Sequence, residues 1–112
     1  MTEDIRLRLK EAQARLGAFA KAAPELMTGF AKVSKTATAA GAFSSAQREL
    51  IAAGIAVVKG CEDCILYHVD AAVRHGASEQ ELIETLEVAV EMGGGPAVMY
   101  AGKALEVFRD LS

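Results

Sequence analysis

Apolar residues along this chain recur at three- and four-residue steps, the spacing of helix faces. Ile5, Leu9, Ala12, Leu16 and Phe19 form one stripe, with Thr2 placed as a cap and Glu3 and Asp4 in the first turn, so residues 3 to 21 are expected to form an amphipathic helix. Pro24 suits the first turn of a second helix whose Leu26, Phe30 and Val33 share a face, and whose end falls between Ser34 and Ala40. Ser44 precedes Gln47 by three positions, a capping-box pattern, and Gly60 is a good C-terminal glycine for the helix between them. Within it IAAGIAVV is apolar all round; its length with the preceding SAQREL, and its alanines, favour a central helix over a buried strand. Gly54 would let a neighbouring helix approach closely.

A fourth helix is expected from about Cys61 to His75, stopping at Gly76. Ser78 and Glu81 form a second capping box for a helix through about Met92, with Leu82, Leu86, Ala89 and Val90 on its apolar face. After the GGG break, Pro96 opens a last helix in which Val98, Ala101, Leu105 and Phe108 repeat at helical spacing. The pattern predicts an all-α protein, a compact bundle of about six helices, with no internal repeat, linker or domain boundary along residues 1–112.

Composition supports that picture. The 112 residues are 52% hydrophobic but only 5% aromatic, with no Trp, so the apolar content is largely Ala, Val, Ile and Leu on helical segments. One domain is expected at this length. So small a domain leaves a large share of its chain surface uncovered, and several segments are apolar on more than one side, so self-association into a homo-oligomer is expected. The formal net charge is -3, with 12 basic and 15 acidic residues mixed along the chain, which speaks against nucleic acid and against an anionic membrane as partners. MTEDIRLRLKEAQ alternates charge with Leu and Ile, unlike a secretory signal, and no later stretch offers roughly 20 apolar residues. A cytoplasmic location is therefore expected, and there a lone cysteine pair points to catalysis or metal binding more than to a structural staple.

The chemistry is concentrated in GCEDCILYHVD. On a helix, Cys61, Cys64 and His68 stand at i, i+3 and i+7 and project from nearly the same face. A CxxC pair at a helix start can close a small disulfide, and the helix N-terminus favours the thiolate. Glu62 and Asp63 in the same turn oppose it by like-charge repulsion, which makes a proton acceptor such as His68, one turn after Cys64, more important. If the helices flanking Gly60 fold back as a hairpin, Glu49 and His68 come to similar depth, and the order becomes Glu49, His68, Cys64, Cys61. Taken alone, Glu49 reads as a solvated carboxylate in the first turns of a helix, and His68 as a satisfied, partly buried histidine. His75 reads as a helix-end cation near Gly76, and Met92, Met99 and Tyr100 as core or subunit contacts.

Zinc is the alternative for the cysteines, with a fourth ligand needed from elsewhere, such as Glu49 or another subunit. A non-catalytic oligomer that holds metal or senses redox state through the pair therefore remains open. A c-type haem site in its usual form is excluded because Ile65, not His, follows Cys64. GGGP lacks the Lys-Ser/Thr ending of a phosphate loop.

A glutamate, eleven residues and then CxxCxxxH, here Glu49, Cys61, Cys64 and His68, together with the HGAS turn and the GGGP break, resembles the AhpD-like branch of the carboxymuconolactone decarboxylase family over about Phe43 to Phe108. The resemblance implies an all-helical fold assembled as trimers or hexamers, and a thiol–disulfide oxidoreductase or alkylhydroperoxidase-like peroxidase activity needing no cofactor or bound metal. It implies Cys64 as the attacking thiol, Cys61 as its resolving partner, and a Glu49–His68 proton relay. A peroxide or disulfide would be the substrate and a thiol or dithiol the reductant. The chain departs from AhpD in carrying Asp63 where that protein has a histidine directly before the second cysteine. The family also contains lactone decarboxylases that act without a CxxC pair; the presence of both cysteines argues against that reaction here.

Overall fold

The computed structural model describes residues 4–112, which form six helices: α1 (Ile5–Ala22), α2 (Pro24–Thr38), α3 (Ser45–Lys59), α4 (Glu62–Arg74), α5 (Glu79–Gly93) and α6 (Gly95–Leu111). The all-α reading holds, and most boundaries fall where the local signals put them. Ser44 and Ser78 each accept a hydrogen bond from the backbone N–H three residues on, while Gln47 and Glu81 reach back to the capping residue's own N–H. Thr2 and Glu3 lie outside the described residues. Asp4, read as a first-turn residue, is the cap of α1: its Oδ1 accepts from the N–H groups of Arg6 at 3.0 Å and Leu7 at 3.4 Å.

The chain reverses between α3 and α4 through Gly60, whose φ of 70° lies in the left-handed region that favours glycine. The Cys61 N–H donates to the Ala56 carbonyl and the Gly60 N–H to Val57, a Schellman closure that satisfies the last carbonyls of α3. α3 packs against α2, α4, α5 and α6, so the apolar run does form the central helix. Gly54 faces α5 as expected; a Cβ there would sit 3.0 Å from Thr85 Cγ2. Leu50, Val57, Ile65, Val69, Leu82 and Phe108 are among the buried side chains of the resulting core.

Several faces differ from the expected pattern. In α6 the buried positions are Ala97, Ala104, Val107 and Phe108, while Val98 is exposed and Ala101 and Leu105 are only half-buried. The stripe is rotated because α6 must meet α3, α4, α5 and α1 at once. Ile5 and Leu9 of α1 are buried, yet Leu16 and Phe19 are exposed, and α2 buries no residue at all. Met92 and Met99 are exposed rather than core. α2 ends at Thr38 without a glycine because Arg48 on α3 donates to the carbonyls of Thr36 and Ala37, at 3.1 and 3.3 Å. Among the described residues no helix is long and apolar enough to cross a membrane.

Candidate functional site: a cysteine pair and a buried carboxylate on one hairpin

The α3–α4 hairpin brings Glu49 and His68 together. Glu49 Oε1 accepts from His68 Nδ1 at 2.7 Å, with the two side chains 6% and 23% exposed. The solvated reading of Glu49 is thereby overturned: its position on α3 faces the inner side of the hairpin, where the carboxylate is enclosed and takes the imidazole as its partner. A carboxylate in this place selects the ring tautomer that leaves Nε2 to exchange protons, and holds the ring still. Tyr67 meets the His68 ring edge-on, with centroids 5.3 Å apart.

Cys61 and Cys64 are joined as a disulfide with a Cα–Cα separation of 5.2 Å. Cys61 lies just outside α4 rather than within it: it is the N-cap, its sulfur accepting from the Cys64 N–H at 3.2 Å. The two sulfurs therefore have unlike surroundings. A thiolate on Cys61 would receive the N-terminal amides of α4. Cys64, the more exposed of the two, lies one turn from His68, and both line a groove of about 700 Å³ between α1, α2 and α4. Leu16, Met27, Phe30 and Tyr67 make the groove walls largely apolar, Lys35 brings positive charge to it, and Arg15 and Asp63 line it as an ion pair.

The acidic residues between the cysteines are not left to repel a thiolate. Glu62 accepts from Arg8 Nη2 at 2.9 Å and from Lys103 Nζ at 2.5 Å. The Lys103 hydrogen bond, with the charges of Lys103 and Arg8 behind it and against a smaller cost of burial, holds the Glu62 carboxyl below the usual range, and the same bond raises Lys103. Asp63 accepts from Arg15 Nη2 through both oxygens, at 3.3 and 3.0 Å. The three cations escaped the reading of the sequence, since they lie 41 to 54 residues from their partners. The available signal was Arg8 and Arg15 spaced seven apart, on one face of α1.

His75 is exposed at the end of α4, and its N–H donates to the Ala71 carbonyl. Among the described residues no three His, Cys, Asp or Glu side chains gather as a metal ion would require, and Glu49, the ligand considered for zinc, is engaged by His68.

Fold and site together define a class: small all-helical proteins with a cysteine pair at a helix N-terminus and a carboxylate–imidazole pair one turn beyond. The chain belongs to the carboxymuconolactone decarboxylase family, whose profile matches residues 24–107. It is 46% identical over 112 residues to an uncharacterized protein of Cupriavidus necator, covering 100% of this chain and 99% of the relative. The crystal structure of an apo family protein from Legionella pneumophila superposes with a TM-score of 0.93 at 43% identity, over 99% of each chain. A family protein from Thermotoga maritima, suggested to take part in an antioxidative response, superposes with a TM-score of 0.82 at 25% identity, covering 93% of this chain and 89% of its own.

Proposed function

We propose that this protein is a thiol–disulfide oxidoreductase of the alkylhydroperoxidase type, in which Cys64 attacks and Cys61 resolves. The observation that carries the reading is the run Glu49, His68, Cys64: a buried carboxylate 2.7 Å from an imidazole that stands one turn from an exposed cysteine on a groove. In the reduced protein His68 accepts the Cys64 thiol proton, with Glu49 orienting the ring and stabilising the imidazolium. With a peroxide, the Cys64 thiolate takes the terminal oxygen, the O–O bond breaks, and the leaving alkoxide receives a proton. Cys61, its thiolate favoured by the start of α4, then attacks the Cys64 sulfenic acid, forming the S–S bond and releasing water. With a disulfide substrate, the same attack gives a mixed disulfide that Cys61 resolves. Two electrons from an external dithiol or pair of thiols return the protein to its starting state.

The test is turnover of an organic hydroperoxide, and of a small disulfide, with a dithiol reductant. Cys64→Ser is expected to abolish both, and Cys61→Ser to arrest the reaction at a Cys64 sulfenic acid or mixed disulfide detectable by mass. Undiminished turnover in Cys64→Ser would overturn the assignment. Stoichiometric zinc in protein purified without chelator, with no thiols lost on mild peroxide, would favour the metal-holding alternative.

The working form we propose is a homo-oligomer, a trimer or hexamer. Leu26, Phe30 and Val33 on α2 are 57 to 64% exposed, and Ile51, Ile55, Val58, Val88 and Met92 line a second apolar groove of about 490 Å³ between α3 and α5. A 15-residue helix that buries nothing in its own chain gains little stability unless another surface covers it.

A further inference from the structure

CxxC pairs are tuned chiefly by what surrounds the thiolate, and here two carboxylates sit between the cysteines where they would disfavour it. Each is met by cations from outside α4. Asp63 is held by Arg15 of α1 through both carboxylate oxygens, and Glu62 is shared between Arg8 of α1 and Lys103 of α6. The Arg15–Asp63 pair also lines the groove that exposes Cys64. The two carboxylates thus face the sulfurs as members of ion pairs while keeping their favourable place in the first turn of α4.

Resting on the reading of Cys61 and Cys64 as a working dithiol, we propose that Arg15, seconded by Arg8 and Lys103, is a positioning residue that cancels the acidic charge inside the CxxC loop and so makes the disulfide more oxidising. The exchange concerned is the disulfide plus two thiols of glutathione giving two protein cysteines and one glutathione disulfide, a transfer of two electrons and two protons. Whatever favours the thiolate favours the reduced protein, so it raises the potential. Arg15 makes no direct bond to either sulfur; it acts through Asp63. The ion pair is solvent-exposed, with its side chains 60% and 56% accessible, so its influence is modest and sensitive to salt.

The experiment is equilibration of the full chain with glutathione redox buffers at neutral pH and low salt, with trapped thiols counted by mass. Arg15→Gln is expected to shift the equilibrium about threefold to tenfold towards the disulfide, a fall of about 15 to 30 mV, and to slow alkylation of the reduced pair by iodoacetamide. Asp63→Asn should shift it by a similar factor the other way. Arg15→Gln with Asp63→Asn should return to within about twofold of the parent, as should Arg15→Lys, and about 1 M salt should shrink the single-variant shifts. A merely structural brace between α1 and α4 would move melting temperature without this sign reversal. Shifts of the same sign in Arg15→Gln and Asp63→Asn, or no shift in either at low salt, would overturn the proposal. A protein whose potential follows the expected cycle but which reduces no peroxide or disulfide would retain this inference and lose the proposed activity. A pair that forms no reversible disulfide with glutathione would sink both.

Discussion

Replacing Glu49 with Gln separates the chemical from the structural part of the Glu49–His68 pair. Gln keeps the size of the side chain and an oxygen that accepts from Nδ1, so only the charge of the 2.7 Å bond is lost. Hydrogen bonds to charged groups contribute about 1.5 to 3 kcal/mol and neutral ones about 0.5 to 1.5, so the expected stability loss is about 1 kcal/mol. For a domain of this length that corresponds to about 3 to 6 °C in melting temperature. Glu49→Ala is expected to cost more, about 2 to 4 kcal/mol, because it also leaves the half-buried imidazole N–H without its partner and opens a cavity at a buried position. The effect on reaction should be larger than the effect on folding. Positioned acid–base groups contribute about 10²- to 10⁴-fold, and a carboxylate acting through His68 supplies the lower part, so Glu49→Gln should slow Cys64 oxidation by about 10- to 100-fold. Single-turnover oxidation of the pre-reduced protein by an organic hydroperoxide reads this directly, with His68→Gln and the double variant completing the cycle. Groups that act as one unit give a double variant little slower than the slower single one. A Glu49→Gln protein within about threefold of the parent rate, or rate losses that simply multiply, would refute the relay.

Other expectations concern the frame around the site. Gly60→Ala and Gly76→Ala both force a side chain into the left-handed region, at φ of 70° and 90°, but only at Gly60 would the new Cβ meet another group, Tyr100 Cε2 at 3.2 Å. Denaturant unfolding should therefore show a loss of about 1 kcal/mol for Gly76→Ala and about 2 to 3 kcal/mol for Gly60→Ala; equal losses would contradict the packing of Tyr100 on the hairpin turn. Because its cations lower the Glu62 carboxyl in the folded protein, its contribution is complete above the ordinary glutamate value of about 4.3 and is lost as pH falls through the lower folded one. Melting temperature should fall on acidification through that window, less steeply in Glu62→Gln, and an unchanged acid limb in that variant would count against the clamp. Phe30→Glu and Ile55→Glu each place a charge on an exposed apolar face, so light scattering should report smaller assemblies for at least one of them. Two variants of parental mass would mean that neither face joins subunits.

Much of the helical plan was legible because helix ends are local. A serine three residues before Gln47 or Glu81 and a glycine after a basic last turn satisfy their own backbone groups, whatever the rest of the chain does. The pairing of Glu49 with His68 was legible on one condition, the hairpin at Gly60, since equal rise per residue then brings the two to similar depth. Buried faces were harder to read. The α6 stripe came out rotated, and the apolar stripes of α2 and of the second half of α1 are left exposed, because spacing shows that a helix has a face without showing what it meets.

Taken by itself, the sequence determined six helices, the glycine that ends α3, and a cysteine pair at a helix start with His68 one turn after Cys64. Those follow from forces that act over a few residues. Only the tertiary structure decided that Glu49 is enclosed, that Arg48 ends α2, and that Arg8, Arg15 and Lys103 meet the two acids between the cysteines. Burial and charge pairing depend on which surfaces converge in space, and the residues concerned stand as far as 54 positions apart in the chain.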